Sequence, residues 1–285
     1  MIKNLIELTK IRIGFLVLTT TIIGFYLGSE GNFSSSLLLY TIIGTLCSST
    51  GGSIINNVIE VESDKKMDRT KDRVLPTKKI SLQVALFLGL LFIVLGISTL
   101  YLKVNTLTAI LSALTIILYL FLYTPLKRVS WINTSIGAIP GAIPPLGGWT
   151  AATNSLDWGG IALFLILFFW QHPHFYAIAF MYKEDYSKAG LKMLPVIDNG
   201  VKRTVLHIFL HALILIPVST LPFFEPFGSS GRIYFVGAYL LSNIYMLCCL
   251  PFILEQSIEN ARLIFKTSIY YFPLLFFLIL IDTVF

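Results

Sequence analysis

Asn56, Glu60 and Asp64 stand four residues apart at the end of an otherwise apolar run. If that run is helical, this spacing puts three oxygen-bearing side chains on one stripe. Such a stripe suits a hard cation such as Mg2+, which takes oxygen ligands, keeps several waters and fills its shell with substrate phosphate. Glu62 and Asp68 add acids nearby, and Lys65, Lys66, Arg69, Lys71 and Arg73 alternate with or follow them. Arginine forks pair with phosphate oxygens two at a time. A carboxylate-held cation beside several arginines can bind a diphosphate and draw off its charge as it leaves. A solvated loop obeying the positive-inside rule explains the lysines alone. It does not explain Asn56 and Asn57, because amides inside a membrane span are costly and tend to be functional.

The elements that must position this stripe are membrane helices. Of 285 residues, 55% are hydrophobic and only 13% charged, which excludes an ordinary soluble domain. Apolar runs near the length of a bilayer crossing recur along the chain. Nine spans are expected, at 11–28, 37–58, 82–102, 106–124, 131–150, 158–181, 203–223, 232–254 and 266–284. The expected fold is therefore all-α: a polytopic bundle of nine transmembrane helices forming a single integral domain over residues 1–285. With the N-terminus inside, 19 of the 21 Lys and Arg fall on inner segments, and only Lys103 and Arg232 lie outside. That asymmetry sets a cytoplasmic N-terminus. Two inner loops, 59–81 and 182–202, are long and charged and are expected to cap a central cavity. Cys47, Cys248 and Cys249 fall inside spans and suggest neither a disulfide nor a metal framework. The net charge of +6 fits topology and anionic lipid headgroups rather than nucleic acid. The N-terminus shows neither a cleavable signal nor an Arg- and Ser-rich leader, so a bacterial plasma membrane is expected.

Other positions join the candidates. Lys127 and Arg128 stand on a short inner connection and are phosphate ligands or topology charges. Glu184 and Asp185, followed by Lys188 and Lys192, form a smaller version of the first site in the second long loop. The two long loops lie four spans apart, a weak sign of a four-helix repeat. The fifth span carries "GAIPGAIPPLGGW", and so many prolines and glycines predict a kinked helix facing the bundle interior. His174 can ligate iron or move a proton near neutral pH; its bland alternative is a hydrogen-bonded packing role. His172, two residues away, is a secondary candidate. His207 and His211 have metal-compatible spacing but no third ligand, so a paired structural role is expected.

"NNVIEVESDKKMDRTKDRVLP" resembles the first signature of the UbiA-type intramembrane prenyltransferases, with Asn56, Asn57, Glu60 and Asp64 at its four polar positions. "MDRTKDRVLP", "YTPLKR", "GAIPGAIPPLGGW" and "FFWQHPHFYAIAFMYKEDYSKAGLKMLPV" are similar to the heme-farnesylating branch of that family, in order and spacing. The resemblance is close over residues 10–200 and covers the last three spans only as hydrophobic helices. Glu60 and Glu62 stand where the family usually has Asp, and His172 where this branch usually has an apolar residue or proline. The second acidic motif is reduced to Glu184 and Asp185. The resemblance implies transfer of a farnesyl group from farnesyl diphosphate to protoheme IX, giving heme O, with Mg2+ as cofactor. Asn56, Glu60 and Asp64 would hold the metal with Asp185 as a second acidic contact. Arg69, Arg73, Lys127 and Arg128 would clamp the diphosphate, and His174 or His172 would meet the heme. A heme A synthase or terminal oxidase would take the product. The alternative is a same-fold enzyme with another aromatic or tetrapyrrole acceptor. A transporter fits less well, because its polar groups would lie near the midplane rather than at one membrane face.

Overall fold

A computed structural model describes residues 2–29, 31–228 and 230–284. Its helices are α1 (Ile2–Leu8), α2 (Ile11–Gly28), α3 (Ser35–Asp64), α4 (Leu82–Lys103) and α5 (Thr106–Ile117). A π-helical segment, Leu118–Tyr123, and α6 (Thr124–Leu126) continue α5. Then come α7 (Asn133–Thr153), α8 (Trp158–Met181), α9 (Lys183–Lys188), α10 (Leu194–Ile197), α11 (Lys202–Thr220), α12 (Arg232–Leu254) and α13 (Ile258–Val284). Each expected span finds a helix. Among the described residues, seven of these are long and apolar enough to cross a membrane on those grounds alone. Residues 13–28 of α2 form a shorter apolar helix, and α7 carries Pro140, Pro144 and Pro145 in its interior.

Starts follow from capping. Ser34, Ser81, Asn105 and Asp157 each accept a backbone N–H of the first turn of α3, α4, α5 and α8, satisfying a donor that the helix leaves free.

Helices α2–α5 and α8, α11, α12, α13 form two sub-bundles joined by α7, which packs on α2, α5 and α8. The α2–α7 contact is backbone to backbone. A Cβ on Gly24 would overlap the Pro145 carbonyl, and one on Gly148 would overlap that of Thr21. This is how small residues let membrane helices approach. The prolines of α7 thus sit on an interior helix, as the sequence predicts. The second sub-bundle buries Tyr176, Tyr234, Tyr245 and Tyr271 completely. Tyr234 donates to the Ser219 carbonyl at 2.8 Å, and Ser219 Oγ lies 2.5 Å from the Tyr271 hydroxyl.

The two long loops meet at one end of the bundle. Met67 of the first packs with Ala179 at the end of α8 and with Ala189, Leu191 and Met193 of the second. The Asp68 carboxylate takes Lys188 at 2.6 Å and Lys71 at 2.7 Å.

Candidate active site

The last turns of α3 carry Asn56, Glu60 and Asp64 on one stripe, and each meets a cation from a different segment. Asn56 Oδ1 accepts from Lys10 Nζ at 3.1 Å. Glu60 pairs with Lys127 at 2.7 Å, and Asp64 with Arg73 at 3.1 Å. Glu60 and Lys127 side chains are only 16% and 14% exposed, so this is a nearly desolvated ion pair. These six residues, with Ser63, Arg69, Thr70, Tyr119 and Tyr186 among others, line a cavity of about 150 Å3. A larger cavity of about 490 Å3 adjoins it, sharing Lys10, Asp64 and Arg73 and bordered by α1 and Asn57.

Local structure explains each placement. Lys10 breaks the chain between α1 and α2 in the left-handed conformation (φ 50°, ψ 48°), uncommon for lysine, and that turn brings its ammonium over Asn56. Burial is the main cause that lowers its pKa to about 8; Arg73 and Lys127 act in the same direction, and Glu60 opposes. The π-helical segment widens the helix just before Lys127, a distortion frequent at functional sites. There the Thr124 hydroxyl donates to the Tyr119 carbonyl at 2.7 Å and accepts from Asn56 Nδ2 at 3.0 Å. Tyr119 and Tyr123 stack at 5.7 Å, with Lys127 Nζ 4.3 Å above the Tyr123 ring. Burial works against the Lys127 ammonium, yet Tyr123 and Glu60 together raise its pKa above the ordinary lysine value.

Arg69 lies over the rings of Tyr182 (4.7 Å) and Tyr186 (5.5 Å) and donates to the Tyr186 hydroxyl at 3.2 Å. Asp185 is not brought to the stripe. Its two oxygens accept the backbone N–H groups of Asp68 (3.3 Å) and Arg69 (3.1 Å), fastening one loop to the other. The Lys188 hydrogen bond to Asp68, followed by that of Lys71, holds the Asp68 carboxyl down at about 2. Arg128 donates to Ser63 Oγ at 3.1 Å, and Ser63 lines the cavity beside the stripe. Glu62 turns away to Lys65.

The histidines lie elsewhere. His174 Nδ1 is 2.7 Å from Ser268 Oγ on α13, and Ser268 Oγ donates to the Phe265 carbonyl at 2.6 Å. The hydroxyl hydrogen is thus used, which assigns the proton to His174 Nδ1 and the lone pair to Nε2. The ring stacks between Trp170 and Phe265. His172 Nδ1 sits 2.7 Å from the Phe168 carbonyl, and its Nε2 is 3.2 Å from Ser135 Oγ. Its ring stacks on His211 at 3.8 Å, with His207 beyond at 5.7 Å from His211. Stacked faces do not chelate, so His207 and His211 pack as a structural pair.

Mg2+ fits these donors. Two carboxylates and the Asn56 amide oxygen are hard ligands, and the buried Asn57 Oδ1 has no protein hydrogen-bond partner. Among the described residues no three His, Cys, Asp or Glu side chains converge as a cage. Mg2+ needs no such cage when substrate phosphates complete its shell. Sequence reasoning missed Lys10, counted only as a topology charge, and the aromatic set Tyr119, Tyr123, Tyr182 and Tyr186. The break before the first span and the alternation of tyrosines with basic residues were the available signals.

Comparison with known proteins agrees with this geometry. A curated protein named protoheme IX farnesyltransferase, from Solibacter usitatus (strain Ellin6076), is 43% identical over 289 residues and spans 98% of each chain. Among solved structures, one from work on digeranylgeranylglyceryl phosphate synthase in membranes superimposes with a TM-score of 0.82 at 18% identity, covering 99% of this chain and 98% of that one. A UbiA homolog from Archaeoglobus fulgidus bound to DMAPP and Mg2+ gives 0.72 at 16% identity, covering 97% and 99%. The model of the UbiA prenyltransferase family matches residues 17–279. An all-helical membrane bundle with an amide and two carboxylates set against three cations at one end thus has its place: the chain belongs to the UbiA prenyltransferase family.

Proposed function

We propose that this protein transfers the farnesyl group of farnesyl diphosphate to a vinyl group of protoheme IX, giving heme O. The observation that carries this is the stripe Asn56–Glu60–Asp64 facing Lys10, Lys127 and Arg73 in one cavity. It is equipment for a leaving group rich in negative charge. The near-full-length likeness to protoheme IX farnesyltransferases supports heme as the acceptor.

Asn56, Glu60 and Asp64 would hold Mg2+, which would supply positive charge against the diphosphate leaving group. Arg73, Lys127, Arg69 and Lys10 take the diphosphate oxygens. Lys127 and Arg73 exchange their present carboxylate partners for diphosphate oxygens, which frees Glu60 and Asp64. The bond electrons leave with the diphosphate. The Tyr119 ring, which lines the cavity, stabilises the allylic cation by cation–π attraction. The vinyl π electrons form the new carbon–carbon bond, and the resulting cation on the acceptor takes water and releases a proton. Asp185 serves by holding the first loop, and through it Arg69, over the cavity rather than by ligating metal. Arg128 supports the stripe through Ser63. His174, with Nε2 carrying its lone pair, is the group we assign to the heme, and His172 orients α8 against α7 through Ser135. The protein sits in a bacterial plasma membrane with its N-terminus and charged loops in the cytoplasm, as 19 of 21 basic residues on that side support. The product passes to a heme A synthase or a terminal oxidase.

The test is mass spectrometry of hemes extracted from a heme-O-deficient bacterium expressing this chain. A hydroxyethylfarnesyl heme is expected with the wild type and not with Asp64→Asn. Good expression without modified heme would overturn the acceptor assignment.

A further inference from the structure

Helix α1, with 7 residues, is too short to cross a membrane, and it touches the polar site at three successive points. One Glu7 carboxylate oxygen accepts the Val74 N–H at 3.1 Å. The Leu8 carbonyl accepts from Asn57 Nδ2 at 3.1 Å, and Lys10 Nζ, just past the helix, donates to Asn56 Oδ1 at 3.1 Å. A helix that served only to rest on the lipid surface would turn its acid outward to water. Here the acid reaches a buried amide, Val74 being 2% exposed. Leu8 packs beside it in one apolar cluster with Leu75, Ile54 and Val61.

Val74 follows Arg73, the cation that faces Asp64. The Arg73 backbone is otherwise held from within its own loop: its N–H donates to the Thr70 carbonyl at 3.0 Å, and Thr77 Oγ1 donates to its carbonyl at 2.7 Å. Apart from the Arg73–Asp64 pair, the Glu7 contact is the hydrogen bond, among the described residues, that ties 71–78 to another segment. Free space lies on that side, because Glu7, Arg73 and Pro76 line the cavity of about 490 Å3. When Arg73 leaves Asp64 for a diphosphate oxygen, its side-chain anchor is gone. The Val74 amide then remains as the tie that keeps its backbone in register. The same helix sets the Asn57 amide. A carbonyl can only accept, so the NH2 corner of Asn57 must face Leu8. That leaves Oδ1, buried and without a protein partner, at the other corner.

We propose that α1 is a positioning element of the diphosphate site: Glu7, through the Val74 N–H, holds Arg73 where it meets the leaving group, and the Leu8 carbonyl sets the Asn57 amide. Glu7 touches neither metal nor substrate and acts through Arg73. The inference rests on the prenyl-diphosphate reading above, and it adds the residue that keeps a phosphate-binding cation in place once its carboxylate partner has been given up.

Two roles for Glu7 predict opposite signs. As a nearby negative charge it would repel a diphosphate, so removing it would tighten binding. As a hydrogen-bond acceptor it holds a cation in place, so losing it weakens binding. The probe is inorganic pyrophosphate with Mg2+, titrated calorimetrically into the purified full chain in detergent, with farnesyl diphosphate as a second ligand and no heme present. Glu7→Ala should weaken pyrophosphate by about tenfold, the lower end for a charge-assisted hydrogen bond. Glu7→Gln, which keeps an acceptor at the same reach, should stay within about threefold of wild type. Glu7→Asp keeps the charge but is one methylene short, and it should resemble Glu7→Ala. A purely structural role would lower the titration stoichiometry and leave the dissociation constant unchanged, which would overturn the proposal. So would tighter binding by Glu7→Ala, or Glu7→Asp binding like wild type. If Glu7→Ala yields no folded protein, the order of Glu7→Gln and Glu7→Asp decides the matter. Wild type that binds neither pyrophosphate nor farnesyl diphosphate would instead sink the prenyl-diphosphate reading itself.

Discussion

Replacing Lys127 with methionine removes one member of a nearly buried ion pair and leaves the other in place. Glu60 is 16% exposed and has its Lys127 partner at 2.7 Å; breaking such a pair typically costs about 3–5 kcal/mol. An upper bound comes from proton uptake. An ordinary glutamate titrates near 4.3, so neutralising it at pH 7 costs about 1.36 kcal/mol for each of 2.7 pH units, close to 4 kcal/mol. Lys10 also faces Glu60, which lowers the figure toward 3 kcal/mol. Lys127→Met should therefore lose about 3 kcal/mol of stability, read by denaturant titration in detergent micelles. Transfer should fall separately, by about ten- to a hundredfold in kcat/KM for the diphosphate, the value of one charge-assisted hydrogen bond of about 1.5–3 kcal/mol. The double variant Glu60→Gln/Lys127→Met removes both charges. Its stability should return to within about 1 kcal/mol of wild type while transfer stays lost. If transfer returned with stability, the pair would be structural only and the assignment of Lys127 to the diphosphate would be wrong.

Lys10 sets a pH dependence with two opposite faces. Its ammonium is lost from the free enzyme as pH rises through about 8, so kcat/KM for the diphosphate should fall on that alkaline limb. Lys10→Arg should move the limb upward. The unfolded chain keeps that proton to about 10.4, so between those pH values the unfolded state binds more protons and fold stability should rise; a stability that falls there would refute the assignment. Asp185→Asn weakens acceptance of the Asp68 and Arg69 amides, and limited proteolysis within 65–81 should accelerate while the helices stay intact. Unchanged cleavage would show that the loops do not depend on this tie. Gly148→Ala pushes a methyl into the Thr21 carbonyl and should cost about 1–3 kcal/mol in the same micelle titration, whereas Gly147→Ala, facing open space, should cost none. Equal effects at the two neighbours would contradict the α2–α7 packing.

The helices were legible because hydrophobic runs and basic flanks act locally. The stripe on α3 was legible because i, i+4 spacing fixes a face once the helix is granted. What those groups touch was not. Lys10 lies 46 residues from Asn56, and the left-handed turn at Lys10 with the packing of α1 and α2 on α3 brings them together. The π-helical segment is a register change with no composition signal, yet it aims Tyr119, Tyr123 and Lys127. Asp185 read as a metal ligand because an acid beside basic residues has the right chemistry; its position opposite two backbone amides of another loop is a tertiary fact. The histidines show the same limit. Their spacing permitted a metal, and the stacking of His172 on His211 could be seen only once α8 and α11 were packed.

The most direct test of the central claim uses purified protein in lipid nanodiscs, freed of metal, with farnesyl diphosphate and protoheme IX supplied. Product mass is followed as Mg2+ is added back to wild type and to Asp64→Asn. The account predicts farnesylated heme that appears with Mg2+ in the wild type and stays absent in the variant at every Mg2+ concentration. Farnesylated heme made equally by Asp64→Asn, or made by the wild type with metal rigorously withheld, would contradict it.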